Sequence, residues 1–259
     1  MVEFGLSLPL TAEPLDILRQ TRMAQIYGFD WVFFGDHIIS MDGKRPLNMW
    51  DAMAFVALQH DIGLASKVAN INKIPIPVLI QHIDTLVRIS EPRNIIIGLG
   101  SGGFDAVKTG NQADKMIYTI RSIREVQPDV PIFVAATGKA MKSIASRRAD
   151  GWIARHALSP KQFNASKPIQ RNQLFEFMAD IPISFTEEDR IWTSLKYRAE
   201  LEGITDTGRE VLSDFSAIGD EDYVIKKVRE YVDYGATIIS VRLYDNSFSK
   251  MENVIDEFK

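Results

Sequence analysis

The sequence predicts an α/β protein, and within that class a (β/α)8 barrel, from three observations. Roughly eight short apolar segments alternate with amphipathic segments along the chain. The apolar segments are continuously hydrophobic, which is typical of parallel strands covered on both faces. No Pro/Gly/Ser-rich stretch divides the chain, so we interpret residues 1–259 as one domain, a common length for an α/β barrel. An open, doubly wound sheet has the same alternation and is the competing fold.

Strand–helix pairs make up the first half of the chain. Pro14 is a favourable first residue for the opening helix, and Gly28 is a favourable stop. The predicted strands are 2–10, 29–35, 62–68 and 95–97, and the predicted helices are 14–28, 48–60, 76–90 and 111–126.

The second half continues the alternation. Asp220 is placed to cap a helix that Gly235 ends. Residues 155–178 have weak periodicity, so the position of a helix in this stretch is left open. The predicted strands, the first with its exit loop, are 130–138, 150–154, 179–186 and 237–244, and the predicted helices are 139–149, 187–203, 221–235 and 251–258.

Composition excludes several functional classes. The formal net charge is -4, with 30 basic and 34 acidic residues, so the basic surface of a nucleic-acid binder is not expected. The chain has no cysteine, which excludes disulfides and thiolate chemistry. Its 4 histidines are far apart in sequence, so no metal site is expected. The first ten residues do not have the pattern of a signal peptide and no apolar run is long enough for a membrane helix, so we expect a cytoplasmic protein that acts on a small molecule.

The segment "WVFFGDHI" places two polar residues directly after an apolar strand. In a parallel barrel, the loops that follow the strands meet at one end, where active sites lie. Histidine titrates near neutral pH, and a neighbouring carboxylate can orient or bind a polar group. We therefore interpret Asp36 and His37 as site candidates. The alternative is a solvent-exposed turn in which Asp36 caps a helix.

Small residues follow the third and fourth strands. Ala65 and Ser66 would let a flat ring approach the backbone, although they also suit simple packing. The glycine-rich loop that contains Gly100, Ser101 and Gly102 allows close approach of a ligand to the backbone. Its spacing is not that of a dinucleotide-binding fingerprint, and no helix opens directly on it. A flexible loop remains the alternative for this segment.

The segment "AATGK" joins the fifth strand to a helix. Free N–H groups at a helix start, with the helix dipole, suit a phosphate. A plain turn with a threonine cap is the alternative. The phosphate interpretation involves Ala135, Ala136, Thr137, Gly138 and Lys139.

Taken in order, these segments resemble the bacterial luciferase-like family, and particularly its branch that uses coenzyme F420, a deazaflavin. The resemblance covers most of residues 3–158 and returns near the last strand. The segments that carry it are "FGLSLP", "YGFDWVFFGDH", "LASKVANINKIPIPVLIQ", "RNIIIGLGSG", "VPIFVAATGKAMKSIASRRADGWI" and "IGDEDYVIKKVREYVDYGATIISVRL".

The resemblance implies a TIM barrel that binds F420, with FMN as the alternative, at the C-terminal ends of its strands. Asp36 and His37 would lie at the ring, with His37 in proton handling. The resemblance assigns ring contact to Ser66 beside Ala65, a strand exit near the cofactor to Gly100–Gly102, and the phosphate to residues 135–138.

Three features depart from the family pattern. Gly103 stands where some F420 dehydrogenases carry a glutamate, and Ser7 stands where methylene-tetrahydromethanopterin reductases carry one. The usual insertion between strands 4 and 5 is shortened to residues 104–130, which normally help to cover the active site.

The resemblance implies a hydride-transferring oxidoreductase. A non-catalytic protein that binds a flavin or deazaflavin is the main alternative, and a barrel that has lost cofactor binding is a third possibility. Luciferase-like barrels often dimerise through helices near the second and third strands, so we expect a homodimer.

Overall fold

Eight parallel strands close into a barrel in the computed structural model, which describes residues 1–10, 13–36, 45–91, 94–102, 110–170, 174–201 and 203–259. The strands of the described chain are β1 (Glu3–Leu8), β2 (Trp31–Phe34), β3 (Gly63–Asn70), β4 (Ile95–Gly100), β5 (Ile132–Ala135), β6 (Gly151–Ile153), β7 (Glu176–Ser184), β8 (Ala217–Ile218) and β9 (Ile238–Leu243). Strands β1 to β6 pair in sequence order, and β6–β7, β7–β9 and β9–β1 pairs complete the ring. The two-residue β8 pairs with the end of β7. The predicted barrel is confirmed.

Helices cover the outside of this barrel. They are α1 (Pro14–Ile26), α2 (Met49–Ala57), α3 (Ile76–Ile89), α4 (Gln112–Val126), α5 (Lys139–Arg148), α6 (Pro160–Ser166), α7 (Asp189–Leu201), α8 (Arg209–Phe215), α9 (Glu221–Asp233) and α10 (Phe248–Asp256). The predicted helices are confirmed to within a few residues at their ends. Asp220 caps α9 by accepting a hydrogen bond from the Tyr223 N–H at 2.9 Å. None of the helices in the described ranges is long and apolar enough to cross a membrane.

Three short elements were not predicted. Helices α6 and α8 have 7 residues each, too few to show a helical repeat in the sequence. Helix α6 instead has a capping box between Ser159 and Gln162, a local signal inside the stretch where the position of a helix was left open. Strand β8 has 2 residues, and only its pairing with β7 defines it.

The inside of the barrel is filled by side chains that alternate with those facing the helices. Phe33 occupies the centre, and a Cβ on Gly5 would lie only 2.0 Å from its ring, so β1 needs a glycine there. The interior apolar cluster consists of Trp31, Phe33, Ala65, Ile96, Phe133, Ile153, Met178 and Ile238.

Helices α7 and α8 form a second, smaller core at one end of the barrel. Their buried side chains pack with Ala157, Ile218 and Tyr244. These three residues lie at or just beyond the C-terminal ends of β6, β8 and β9. The helix pair therefore covers part of the barrel end where the strand-exit loops gather.

Candidate functional site

Asp36, residues 100–102 and residues 135–139 lie at the C-terminal end of the barrel, at the exits of β2, β4 and β5, as parallel strands require. Ala65 and Ser66 instead lie within β3. His37 lies outside the described residues, as do Gly103 and the first part of the shortened segment. Between β4 and β5, the described residues contain one helix, α4.

The Asp36 carboxylate is buried and fully engaged. One oxygen accepts a hydrogen bond from the Asn70 backbone N–H at 3.1 Å, and the other is paired with the Lys73 ammonium. These contacts hold the exit of β2 against the exit of β3. Asp36 is therefore not the exposed helix cap of the alternative interpretation; it fixes the backbone immediately before His37.

A hydrogen-bond network continues from β3 to β4 and α4. The Asn72 side-chain amide donates to the Ser101 carbonyl at 3.1 Å and to the Gln112 side-chain oxygen at 2.7 Å. The Lys115 ammonium donates to the Asn72 side-chain oxygen at 3.1 Å. Gly102 has a φ of 93°, a conformation that favours glycine. The predicted glycine-rich loop is therefore held by a hydrogen bond at Ser101, next to a backbone conformation at Gly102 that favours glycine.

Strand β3 does not present Ala65 and Ser66 to the end of the barrel. Ala65 lies in the interior apolar cluster with no exposed surface, and the Ser66 hydroxyl donates to the Gly98 carbonyl at 2.9 Å. The pairing of β3 with β4 shifts register between Ser66 and Ala69, and the Lys67–Val68 peptide bond is cis. Lys67 and Val68 lie within this irregularity, and both contact the barrel interior. Two successive side chains facing the same way are expected at a bulge.

The exit of β5 is open. Thr137, Gly138 and Lys139 are exposed, and a Cβ on Gly138 would meet no atom within 4 Å. Helix α5 begins after Gly138 without a side-chain cap, so Thr137 does not cap it. The first N–H groups of α5 have no intrahelical acceptor. This strand exit has the space and the donors that a phosphate needs.

Opposite this open side, a cluster of buried polar groups fills the barrel beneath α7. We call it the charged cluster, and it consists of Ser7, Lys67, His156, Asp180 and Ser240. The Lys67 ammonium donates to the Asp180 carboxylate at 2.6 Å, to the Ser7 hydroxyl at 2.9 Å, and to the Ser240 hydroxyl. An ammonium has three N–H donors, so that of Lys67 is saturated.

His156 connects the charged cluster to α7. Its Nδ1 lies 2.8 Å from the second Asp180 oxygen, and its Nε2 accepts from the Arg198 guanidinium at 3.0 Å. Because an arginine can only donate, Nε2 must carry a lone pair, and the proton sits on Nδ1 facing Asp180. The imidazole is therefore neutral in this arrangement.

The electrostatics of the cluster agree with that assignment. Burial lowers the pKa of His156, and Arg242 and Lys67 lower it further against the opposing effect of Asp180. Burial would raise the pKa of Asp180, but the Lys67 charge and the His156 hydrogen bond hold it well below its usual range. Burial also lowers the pKa of Lys67, while Asp180 opposes that shift. Asp180 is thus a permanent carboxylate beside a neutral histidine.

Two buried donors of the described chain have no acceptor. They are the Nε–H of Arg242, on β9, and the Nε1–H of Trp192, on α7. Arg242 follows Ser240 by two residues, so both side chains lie on the same face of β9, towards the barrel axis. An unmatched buried donor of this kind is uncommon in folded proteins.

The charged cluster was missed by the sequence reasoning, although a signal was present. Lys67 and Asp180 interrupt otherwise apolar strands, and a charge in such a strand requires a partner when buried. Reading the two as one pair requires the barrel to be closed, because 113 residues separate them. No group of three or more metal-binding side chains occurs among the residues with described positions.

Comparison with solved structures shows the same fold over the whole chain. The coenzyme F420 dependent tetrahydromethanopterin reductase from Methanopyrus kandleri is 18% identical, with a TM-score of 0.81, covering 100% of this chain and 99% of that one. An F420-dependent secondary alcohol dehydrogenase, solved with an F420-acetone adduct, is 14% identical, with a TM-score of 0.83 and coverages of 99% and 97%.

A third similar structure is the oxygenating constituent of 3,6-diketocamphane monooxygenase from Pseudomonas putida, in complex with FMN. It is 12% identical, with a TM-score of 0.68 and coverages of 98% and 96%. No protein-family model matches the sequence. By fold, this chain is a (β/α)8 barrel of the form shared by these F420- and FMN-named enzymes.

Proposed function

We propose that the protein is an oxidoreductase that transfers a hydride between coenzyme F420, or alternatively FMN, and a small organic substrate. The observation that carries this proposal is the open exit of β5, where α5 begins without a side-chain cap next to Gly138. The sequence resemblance assigns a cofactor phosphate to that exit, and the structure leaves room and backbone donors there. Two structures of the same fold are named as F420-dependent enzymes.

The residues of this barrel fit such a cofactor at its phosphate end. The first N–H groups of α5 would hold the phosphate, and Lys139 adds a positive charge. At the ring end, β3 offers Val68 and the stem of Lys67 instead of the predicted Ala65 and Ser66. When bound, the deazaflavin or flavin supplies the hydride chemistry, while the protein binds, orients and moves protons.

Proton handling is assigned to His37 because the described polar groups at this end of the barrel are already engaged. Both oxygens of Asp36 and of Asp180 are engaged, the Lys67 ammonium is saturated, and both ring nitrogens of His156 have partners. Asp36 fixes the exit of β2 and is a positioning residue for the histidine that follows it. The role of His37 as a general acid or base follows from histidine chemistry near neutral pH.

The second candidate function is non-catalytic binding of the same cofactor. The engagement of Asp36, Asp180, Lys67 and His156 favours it, since none of these side chains is then free to move a proton. The variant His37→Ala separates the two functions. Under the oxidoreductase proposal, substrate-dependent oxidation of the reduced cofactor falls by about 100-fold or more, while cofactor affinity changes little. A binding protein shows no turnover in either form.

The proposal is tested by titrating F420 and FMN into the purified protein and following absorbance and fluorescence. Gly138→Asp places a negative charge at the phosphate position and should weaken binding about tenfold or more. Gly138→Ser is the matched control, because it adds a neutral side chain at the same position. Absence of binding of both cofactors by the unaltered protein would refute the proposal, and equal binding by Gly138→Asp would refute the assigned phosphate position.

A further inference from the structure

We propose that Arg242 is a binding residue for an oxyanion, a carboxylate or a phosphate group, of the substrate. That the oxyanion belongs to the substrate rests on the proposed function. The presence of an anion site at Arg242 does not, because it follows from the barrel alone.

Arg242 has a buried donor without an acceptor. The Arg242 side chain is half-buried and makes no hydrogen bond or ion pair with any residue of the described chain, and its Nε–H is completely buried without an acceptor. An arginine stays charged in proteins, so it cannot escape the cost of burial by losing a proton. A buried donor without an acceptor destabilises the fold, which indicates that this side chain serves a ligand.

The charges around Arg242 do not cancel, because Lys67 and Arg242 are both positive and Asp180 is negative. Lys67 and Asp180 form a matched pair at 2.6 Å, and both Asp180 oxygens are occupied. Arg242 is close enough to lower the pKa of both Lys67 and His156. Arg242 also lowers the pKa of Asp180, but that carboxylate is already paired with Lys67, so two positive charges share one negative charge among these described residues. This part of the barrel therefore attracts an anion.

The position of Arg242 separates it from the cofactor phosphate site. Around the barrel, β9 is followed by β7, β6 and β5, so Arg242 lies three strands away from the open exit that contains Gly138. In an eight-stranded barrel this is nearly the opposite wall. One phosphate cannot contact both places, which assigns Arg242 to the second reactant.

The chemistry of the side chain defines the ligand class. A guanidinium presents a planar fork of N–H donors that matches the two oxygens of a carboxylate or a phosphate. Ser7 and Pro182 belong to the strands that flank Arg242, and neither brings a negative charge that would compete. We therefore expect anionic substrates, such as 2-oxo acids or sugar phosphates, to be preferred over neutral ketones and aldehydes.

Anion binding is tested first, without cofactor, by calorimetric titration of inorganic phosphate and of pyruvate at low ionic strength. Arg242→Gln should weaken binding of the better probe about tenfold or more, and Arg242→Lys should bind with intermediate affinity. Arg88→Gln is the control, because Arg88 is 77% exposed and the net charge changes equally. Unchanged binding by Arg242→Gln would overturn the proposal.

Two further measurements keep the test independent of folding. Without ligand, Arg242→Gln should melt at or above the temperature of the Arg88→Gln control, since it removes an unmatched buried donor. In the unaltered protein, phosphate should shift the ¹⁵N–¹H resonance of Arg242 Nε. That resonance is identified as the one missing from the spectrum of Arg242→Gln. Marked destabilisation by Arg242→Gln, or a resonance that phosphate does not move, would overturn the proposal.

Turnover distinguishes the substrate from other anions. Pyruvate should be reduced more efficiently than acetone, and glyceraldehyde phosphate more efficiently than glyceraldehyde, with the preference reduced about tenfold or more in Arg242→Gln. Cofactor affinity should be unchanged in that variant. Failure of cofactor binding with intact phosphate binding refutes the proposed function and leaves the anion site, whereas weakened cofactor binding in Arg242→Gln would overturn its assignment to the substrate.

Discussion

Two buried lysine–aspartate pairs lie at the same end of the barrel, and they differ in what surrounds them. The Asp36 and Asp180 side chains are each only 4% exposed. Asp36 contacts Lys73 and one backbone N–H, and these two partners satisfy it. Asp180 contacts Lys67, Ser240 and His156, with Arg242 nearby and unmatched.

The difference shows that two similar ion pairs can have different roles in one protein. The Asp36 pair is neutral overall, connects two adjacent strand exits, and leaves no group without a partner. The Asp180 pair joins opposite walls of the barrel and sits within an excess of positive charge. An ion pair whose charges cancel and whose polar atoms all have partners indicates a structural role. A charge without a partner indicates a ligand site.

The largest expected effect comes from breaking the Asp180 pair. Lys67→Met keeps most of the side-chain volume but leaves the buried carboxylate without its cation. We expect a loss of about 3–5 kcal/mol in the free energy of unfolding, seen as a fall of roughly 6–20 °C in melting temperature. The double variant Lys67→Met/Asp180→Leu should recover most of it, because the carboxylate is removed as well. Equal stabilities of Lys67→Met and the unaltered protein would contradict a buried pair.

Breaking the Asp36 pair should cost less. The Lys73 side chain is 23% exposed, against 11% for Lys67, so water can replace part of what Lys73→Met removes. We expect a loss of about 1–2 kcal/mol in the free energy of unfolding, measured by denaturant titration. If Lys73→Met lowered the free energy of unfolding as much as Lys67→Met does, the greater exposure of Lys73 would not reduce the contribution of its ion pair.

The pH dependence of stability distinguishes the two carboxylates further, because only Asp180 has a histidine partner. The pKa of His156 is lower in the folded protein than in the unfolded chain, where histidine titrates near 6.5. As the pH falls below about 6.5, the unfolded state takes up a proton that the folded state refuses, and stability decreases by at most about 1.4 kcal/mol per pH unit.

His156→Gln should remove this slope, as followed by melting temperature between pH 7 and 5. His60→Gln is the comparison variant, since the pKa of His60 is also lowered by burial but its side chain is only partly covered. We expect a smaller change of slope for that variant. An unchanged slope in His156→Gln would show that folding does not lower the pKa of His156.

The smallest effect concerns a third carboxylate, introduced where it would be neither buried nor paired. Gly138→Asp supplies the missing cap of α5 and should raise the free energy of unfolding by about 0.3–1 kcal/mol. Denaturant titration in parallel with Gly138→Ser separates the capping effect from the charge effect. A loss of stability would mean that the exit of β5 is less open than the space around Gly138 indicates.

The sequence predicted the barrel well because its signals are local. Each barrel strand is a largely apolar run, and each long helix has a repeating apolar face, so neighbouring residues alone define them. Capping residues such as Asn48, Asn111 and Asp220 mark helix starts by the same short-range chemistry. The short helix α8 was missed because one or two turns leave no repeat to read.

The candidate site was predicted only in part. Strand exits could be located from the sequence, so Asp36 and Gly138 were found at the correct end of the barrel. The direction of side chains at the end of β3 could not be predicted, because the irregularity after Ser66 turns Val68 into the interior together with Lys67. The assignment of His37 stays a prediction.

By itself, the sequence determined the fold class, the order of the elements and the end of the barrel where chemistry is expected. These properties depend on hydrophobic periodicity and on turn and cap residues, which act over a few positions. The tertiary structure alone decided that Lys67 pairs with Asp180, that His156 is held neutral, and that Arg242 is left unmatched. Such pairings depend on closure of the barrel, which brings distant strands within hydrogen-bond distance in a medium where an unmatched charge is costly.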